Sequence, residues 1–383
     1  MLKNLIYGDL YIINPDLNPF LGAHVLNQEE LNEYSDFKIG VNKNVLKLRN
    51  ECKNLGKDIY SILVDENEPG DYHKRLNQFI RWNEIFKYKF KPTSSDNVNY
   101  GSSSLLITCK VRSNDATLKI IKKDWKKIFI TTNHFYTLNK KVRNLFSNLS
   151  DKKVTIIAFN KSDACVFNKR LNTNFEYVLV PPIVDKRFKN YSKKRNFDIS
   201  SSGSISNIKG NKDIWNPKNR KFMYQGRMII HRYNKKLKIN SAISNVSPNF
   251  SQRLVKLKNR LFNKQIDWSK KKYYNFNLIE FLNDSLFFLC SEDIWGVLPL
   301  GGWEAMACGC ILVLTEQTAD EFYGFKSDEN FICIGNEWTY DSLKKVTKKI
   351  RNLSPSEIKS LQTNSQKLFS KINSLSNEFW KLE

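Results

Sequence analysis

Three carboxylates and a glycine pair stand close together in one part of the chain. Glu292 and Asp293 follow the apolar run LFFLC (Leu286 to Cys290), and Glu304 follows Gly301 and Gly302. A second apolar run, CILVL (Cys310 to Leu314), closes the stretch. Both runs suit strands buried on two faces. Between them, Ser291 to Gly302 reads as a loop, Trp303 to Ala307 (WEAMA) as a short helix, and Gly309 as its stop. Strand, loop, helix and strand make a βαβ unit, and such units build parallel sheets. Ligands of open α/β sheets sit beyond the carboxyl ends of the strands. This reading places Glu304 in the first turn of the helix, where a carboxylate can accept two neighbouring hydroxyls such as a ribose diol.

The same residues resemble the donor-site signature of GT-B glycosyltransferases, above all glycosyltransferase family 4. The match runs through Glu304-Ala-Met-Ala-Cys-Gly309 and the apolar strand after it. The resemblance implies that Glu304 binds the ribose of a nucleotide-sugar and that Gly302, Trp303 and Ala305 belong to the donor site. The family carries a second acidic residue eight positions earlier, where this chain has Gly296, so Asp293 or Glu292 takes that role. The segment from Gly309 also resembles the corresponding segment of exostosin-type transferases, without their proline.

Other segments carry the resemblance further. Ile128 to His134 (IFITTNH) is similar to the family strand whose terminal histidine approaches the transferred sugar, which assigns His134 to the reaction centre. Val180 to Phe188 resembles the hinge between the family's two domains, and Pro181-Pro182 is a physical breaker suited to one. Gly203 and Lys209-Gly210 match the spacing of the family's phosphate loop, but Ser204 stands where the family has an arginine. The resemblance therefore gives the diphosphate to Lys209 and leaves a second cation to be found. Arg220 and Arg227, seven residues apart on a predicted helix, are the candidates. Gly22, in the loop after the first strand, matches a glycine near the donor phosphates. No Walker-type phosphate loop is present.

These residues need two sheets to hold them. Strand-length apolar runs alternate with helical segments along both halves of the 383-residue chain. Strands are expected at 9–14, 59–64, 104–109, 127–132, 154–159, 177–182, 197–202, 286–290, 310–314 and 331–334. The expected fold is α/β, of GT-B type: two Rossmann-like domains facing each other across a cleft. Residues 1–182 form the acceptor-side domain and 183–365 the donor domain. Residues 366–383 cross back to the first domain, ending in Phe379-Trp380. The final helices are read as two, 355–372 and 375–382.

Composition bounds the remaining possibilities. Apolar residues make up 41% and aromatics 13%, ample for real cores, so a disordered polymer is excluded. The seven cysteines show no metal spacing, which suits buried free thiols in a reducing compartment. MLKNLIYGDLYII is broken by Gly8 and Asp9 and lacks a cleavage pattern, so no signal peptide is expected. No run approaches a spanning helix. The expected location is cytoplasmic, with peripheral contact to an anionic membrane face through the basic stretch Arg253 to Lys272. The net charge of +24 invites polyanions, yet no nucleic-acid-binding module is present and none is expected as partner. The partners implied are a nucleotide-sugar donor and a glycan or lipid-linked acceptor. The resemblance implies transfer with retention and no metal cofactor, and no D-x-D pair of metal-binding carboxylates occurs. An inverting exostosin-like enzyme, a basic nucleic-acid-binding protein and a non-catalytic GT-B protein remain as alternatives.

Overall fold

The computed structural model of the chain describes residues 1–13, 98–108, 115–132, 140–184, 188–205, 224–245, 277–294, 296–319 and 323–381. They divide into two compact units. One holds the described residues as far as Ile183 together with Ile372 onward; the other spans Val184 to Lys371.

The first unit is built on a fully parallel sheet of β1 (Leu10–Ile13), β2 (Ser104–Thr108), β3 (Lys127–Thr131), β4 (Val154–Ala158) and β5 (Glu176–Leu179), paired in that order. Consecutive residues of the central strands, such as Leu105, Leu106 and Ile107, are all buried, because both sheet faces are covered. Helices α1 (Asp115–Ile121), α2 (Lys140–Ser147) and α3 (Lys161–Leu171) follow β2, β3 and β4. Asn160 caps α3 by accepting from the Asp163 amide at 2.7 Å, and Asn172 ends it at a left-handed φ of 56°.

The second unit has its own five-stranded parallel sheet, ordered β10-β9-β8-β6-β7. Its strands are β6 (Phe197–Ile205), β7 (Asn240–Asn245), β8 (Ser285–Leu289), β9 (Ile311–Leu314) and β10 (Ile332–Cys333). From β6 the chain first builds outward to β7, then returns to the other side of β6 for β8, β9 and β10. The order therefore reverses between β6 and β8, which makes that gap the topological switch point, where open α/β sheets bind ligands. Helices α4 (Gln225–Tyr233), α5 (Leu278–Asn283), α6 (Leu300–Ala307) and α7 (Tyr340–Arg351) accompany the sheet. Arg195 fastens the bottom of this layer. Its guanidinium donates to the carbonyls of Leu282, Asn283 and Ser285 and, through Nη2, to Cys308. One side chain thus satisfies terminal carbonyls of both α5 and α6.

The last element, α8 (Pro355–Trp380), is a single 26-residue helix rather than two. Asn373 and Ser374 are poor helix formers, but Leu361, Ser365, Leu368, Ile372, Ser376 and Phe379 form an unbroken buried stripe at spacings of three and four. Packing overrides propensity there. In the second unit, Gln362 and Gln366 donate to the carbonyls of Gly309 and Met306, holding α8 to the end of α6. In the first unit, Ser376 donates to the Pro181 carbonyl at 2.8 Å, and Trp380 is fully buried.

Candidate active site

At the switch point β6 runs past β8. The last β6–β8 pair is Ser200 with Phe288, whereas β6 and β7 stay paired to Ile205 and Asn245. Gly203 lies in this overhang, at a φ of +130° that a side chain rarely adopts. A Cβ there would come within 2.7–2.9 Å of the Arg227 guanidinium. Arg227, from the first turn of α4, therefore rests on the bare backbone of Gly203 and donates through Nη1 to the Ser204 carbonyl at 3.2 Å. Its Cζ lies 3.7 Å over the ring of Tyr224, the residue preceding the helix. The guanidinium thus occupies the strand end where the sequence lacks an expected arginine.

Across the gap, α6 begins at Leu300, three residues earlier than its sequence suggests. Two glycines lower helix propensity, but Pro299 at the N-cap presets the entry and offers no side-chain cap. Glu304 is consequently the fifth residue of the helix, not a first-turn residue. Its carboxylate still returns to the amino end, because helical side chains lean that way: Oε2 lies 3.9 Å from where a Cβ on Gly301 would be. Glu304 is only 4% exposed. Gly302 lets the helix sit against the end of β8, since a Cβ there would meet Cys290 Sγ at 2.8 Å. Trp303 and Ala305 face the core; the indole packs edge-on against Tyr323 at 5.4 Å and Ala305 is fully buried.

The two other carboxylates differ in environment. Glu292 is buried, its Oε2 accepting from Trp338 Nε1 at 2.7 Å. Burial raises its pKa, opposed by hydrogen bonds from Trp338, Thr318 and Thr315 and from its own backbone. Asp293 is half-buried and closes a turn, its Oδ1 accepting from the Val297 amide at 3.1 Å. Gly296 takes φ +84° in that turn, pressed against Gln317. The Cys290 thiol at the end of β8 is pushed up to about 12, chiefly by burial, and it also feels Arg227, Glu292 and Glu304. Arg227, Glu292 and Glu304 therefore all lie near the end of β8.

Gly203, Arg227, Glu292, Asp293, Gly302, Trp303, Glu304 and Ala305 are thus all found about β6, β8 and α6. Gly22, His134, Lys209, Arg220, the expected strand at 59–64 and the stretch Arg253 to Lys272 lie outside the described residues. Sequence reasoning missed Tyr224, Thr315, Thr318 and Trp338. Tyr224 lies three residues before Arg227, a detectable aromatic–cation spacing; the others meet Glu292 only through the fold. No cluster of three or more metal-ligating side chains occurs among the described residues. None of the described helices is long and apolar enough to cross a membrane.

The matching strand end in the first unit carries a polar pair. The Thr132 hydroxyl, just beyond β3, donates to Asp163 in the first turn of α3. Burial raises the Asp163 carboxyl to about 7, against the hydrogen bonds from Thr132 and the Phe159 amide.

Among solved structures, the chain is similar to a glycosyltransferase from Rickettsia africae. The TM-score is 0.50 at 12% identity, covering 98% of this chain and 95% of that one. The fold is GT-B. Other GT-B structures align less closely. A Thermosynechococcus elongatus sucrose-phosphate synthase gives a TM-score of 0.46 at 11% identity, covering 95% of each chain. The pneumococcal O-GlcNAc transferase GtfA, solved with UDP and GlcNAc, gives 0.45 at 13% identity over 75% of this chain. The chain spans only 56% of GtfA. No protein-family model and no curated protein matches the sequence.

Proposed function

We propose that this GT-B protein transfers a sugar from a nucleotide-activated donor to a hydroxyl of a glycan or glycolipid, in the manner of glycosyltransferase family 4. The observation that carries the reading is the pairing of Arg227 on Gly203 with Glu304 at the amino end of α6, on either side of the switch point. Such a site suits a nucleoside diphosphate. Arg227 and Lys209 serve the two phosphates, and the uncapped start of α6 adds backbone N–H donors. Glu304 accepts the ribose hydroxyls. Asp293, the more exposed of the two neighbouring acids, holds sugar hydroxyls, while Glu292 braces the strand ends through Trp338. His134 approaches the reacting ring. The Rickettsia africae protein of the same fold is a glycosyltransferase, and the same broad activity is assigned here.

The reaction breaks the bond between the anomeric carbon and the diphosphate and forms one to the acceptor oxygen. Cations stabilise the departing diphosphate as its charge grows. In a retaining reaction the leaving phosphate can take the acceptor proton, so no protein base is named. The family resemblance, with no D-x-D pair, favours metal-independent chemistry.

Donor hydrolysis and transfer by the purified chain, over a panel of nucleotide-sugars, test the proposal. Turnover with retained anomeric configuration is expected. Inversion moves the chain to the exostosin-like reading; no turnover and no diphosphate binding overturn the function. Lys209→Ala should weaken a nucleoside diphosphate more than the free nucleoside, and equal losses remove Lys209 from the site.

A further inference from the structure

We propose that Tyr224 is the positioning residue that turns Arg227 into a diphosphate clamp. The inference rests on the nucleotide-binding reading above. Arginine is normally mobile and loses rotamer entropy when it is held in one place. Here its guanidinium is restrained from three sides. The Tyr224 ring lies against its face at 3.7 Å. Gly203 supplies a seat that any Cβ would fill. The Ser204 carbonyl accepts from Nη1. Tyr224 is the N-cap residue of α4 and offers it no side-chain hydrogen bond, so its ring rather than a capping contact is what it contributes there. The helix itself fixes the relation, since N-cap and third helical positions share one face.

The arrangement stands in for a cation that would extend from position 204 at the end of β6. A cation carried by α4 reaches the same strand end from the helix side, provided the neighbour at 203 has no side chain and a flat surface supports the guanidinium. Because Ser204 takes one of five donors, a planar fork is left that suits two phosphate oxygens at once, a geometry lysine cannot reproduce. Tyr224 touches Arg227 and need not touch the ligand.

The test uses the full chain and calorimetric affinities for UDP, GDP and ADP beside uridine, guanosine and adenosine. For the best-bound pair, Arg227→Ala and Arg227→Lys should each lower diphosphate affinity by about tenfold or more and leave the nucleoside unchanged. Tyr224→Leu should bind the diphosphate about two- to fivefold more weakly, with the nucleoside unchanged, as cation–π support of roughly 0.5–1 kcal/mol implies. Tyr224→Phe keeps the ring and should retain wild-type affinity. Loss in Arg227→Ala with wild-type affinity in Tyr224→Leu overturns the positioning role and leaves the function standing. If Tyr224→Leu does not fold, Arg227→Lys decides: wild-type affinity means a point charge suffices and no stacked fork is needed. Wild-type diphosphate affinity in Arg227→Ala removes Arg227 from the site and the inference with it. A wild-type chain that binds none of the six ligands overturns both the function and the inference.

Discussion

At the scale of single residues, the proposed site holds carboxylates in unlike surroundings. The buried Glu304 reaches back with its carboxylate to the amino end of α6, and a hydrogen bond to a charged group is worth about 1.5–3 kcal/mol. Glu304→Ala should therefore lower donor use by roughly 10- to 100-fold; an unchanged rate in a folded variant removes it from the ribose. Asp163 makes a different prediction. Its carboxyl is raised from 3.8 to about 7 by burial, so the fold prefers the neutral acid. Below about pH 4 both folded and unfolded chains are protonated and this preference costs nothing. As pH rises towards 7 the unfolded chain ionises first, and stability falls; above about 7 the loss is complete. Asp163→Asn keeps an acceptor for Thr132 and the Phe159 amide without the charge. Its melting temperature should fall less than that of the wild type between pH 5 and pH 8, and parallel curves would mean the carboxyl titrates normally.

At the scale of elements, most strands were legible because parallel strands covered on both faces read as unbroken apolar runs. SLLIT, VTIIA, SLFFL and ILVL are of this kind. β7, NSAISN, was not: it is an edge strand in which Ile243 is the one buried hydrophobic side chain. The start of α6 was hidden by two glycines, and the continuity of α8 by a polar pair inside it. Glu304 and its neighbours were legible because they share one local stretch. The seat of Arg227 was not, since Gly203 and Arg227 lie 24 positions apart and meet only through the packing of α4 on β6. Helix α4 also packs closely against other parts of the unit. A Cβ on Gly226 would fall 2.5 Å from the Trp338 ring and 2.6 Å from Ser291 Oγ. Gly226→Ala should destabilise the chain by about 1–3 kcal/mol through overpacking. It should also disturb the hydrogen bond from Trp338 to Glu292, detectable as a change in tryptophan fluorescence; an unaltered melting curve would mean α4 can shift freely.

At the scale of the whole molecule, the charge of +24 extends far beyond the two cations assigned to the proposed site. Salt-sensitive binding to anionic vesicles is expected, each surface-facing basic residue adding about 1 kcal/mol, with screening within roughly 10 Å at 0.1 M salt. Replacing Lys270, Lys271 and Lys272 with glutamine should weaken co-sedimentation and spare turnover of a soluble acceptor; no sedimentation at low salt would leave the charge without a lipid role. The long helix α8 has a consequence of another kind. The first unit contains residues as far as Ile183 and then those from Ile372, including the buried Phe379 and Trp380. During synthesis it must wait for all of Val184 to Lys371 to emerge before those side chains arrive, which at about 5–20 residues per second is roughly 10–40 s. The second unit can mature in that interval, while the first still lacks Phe379 and Trp380. The ribosome thus imposes a reversed order of completion, in which the half begun first is finished last.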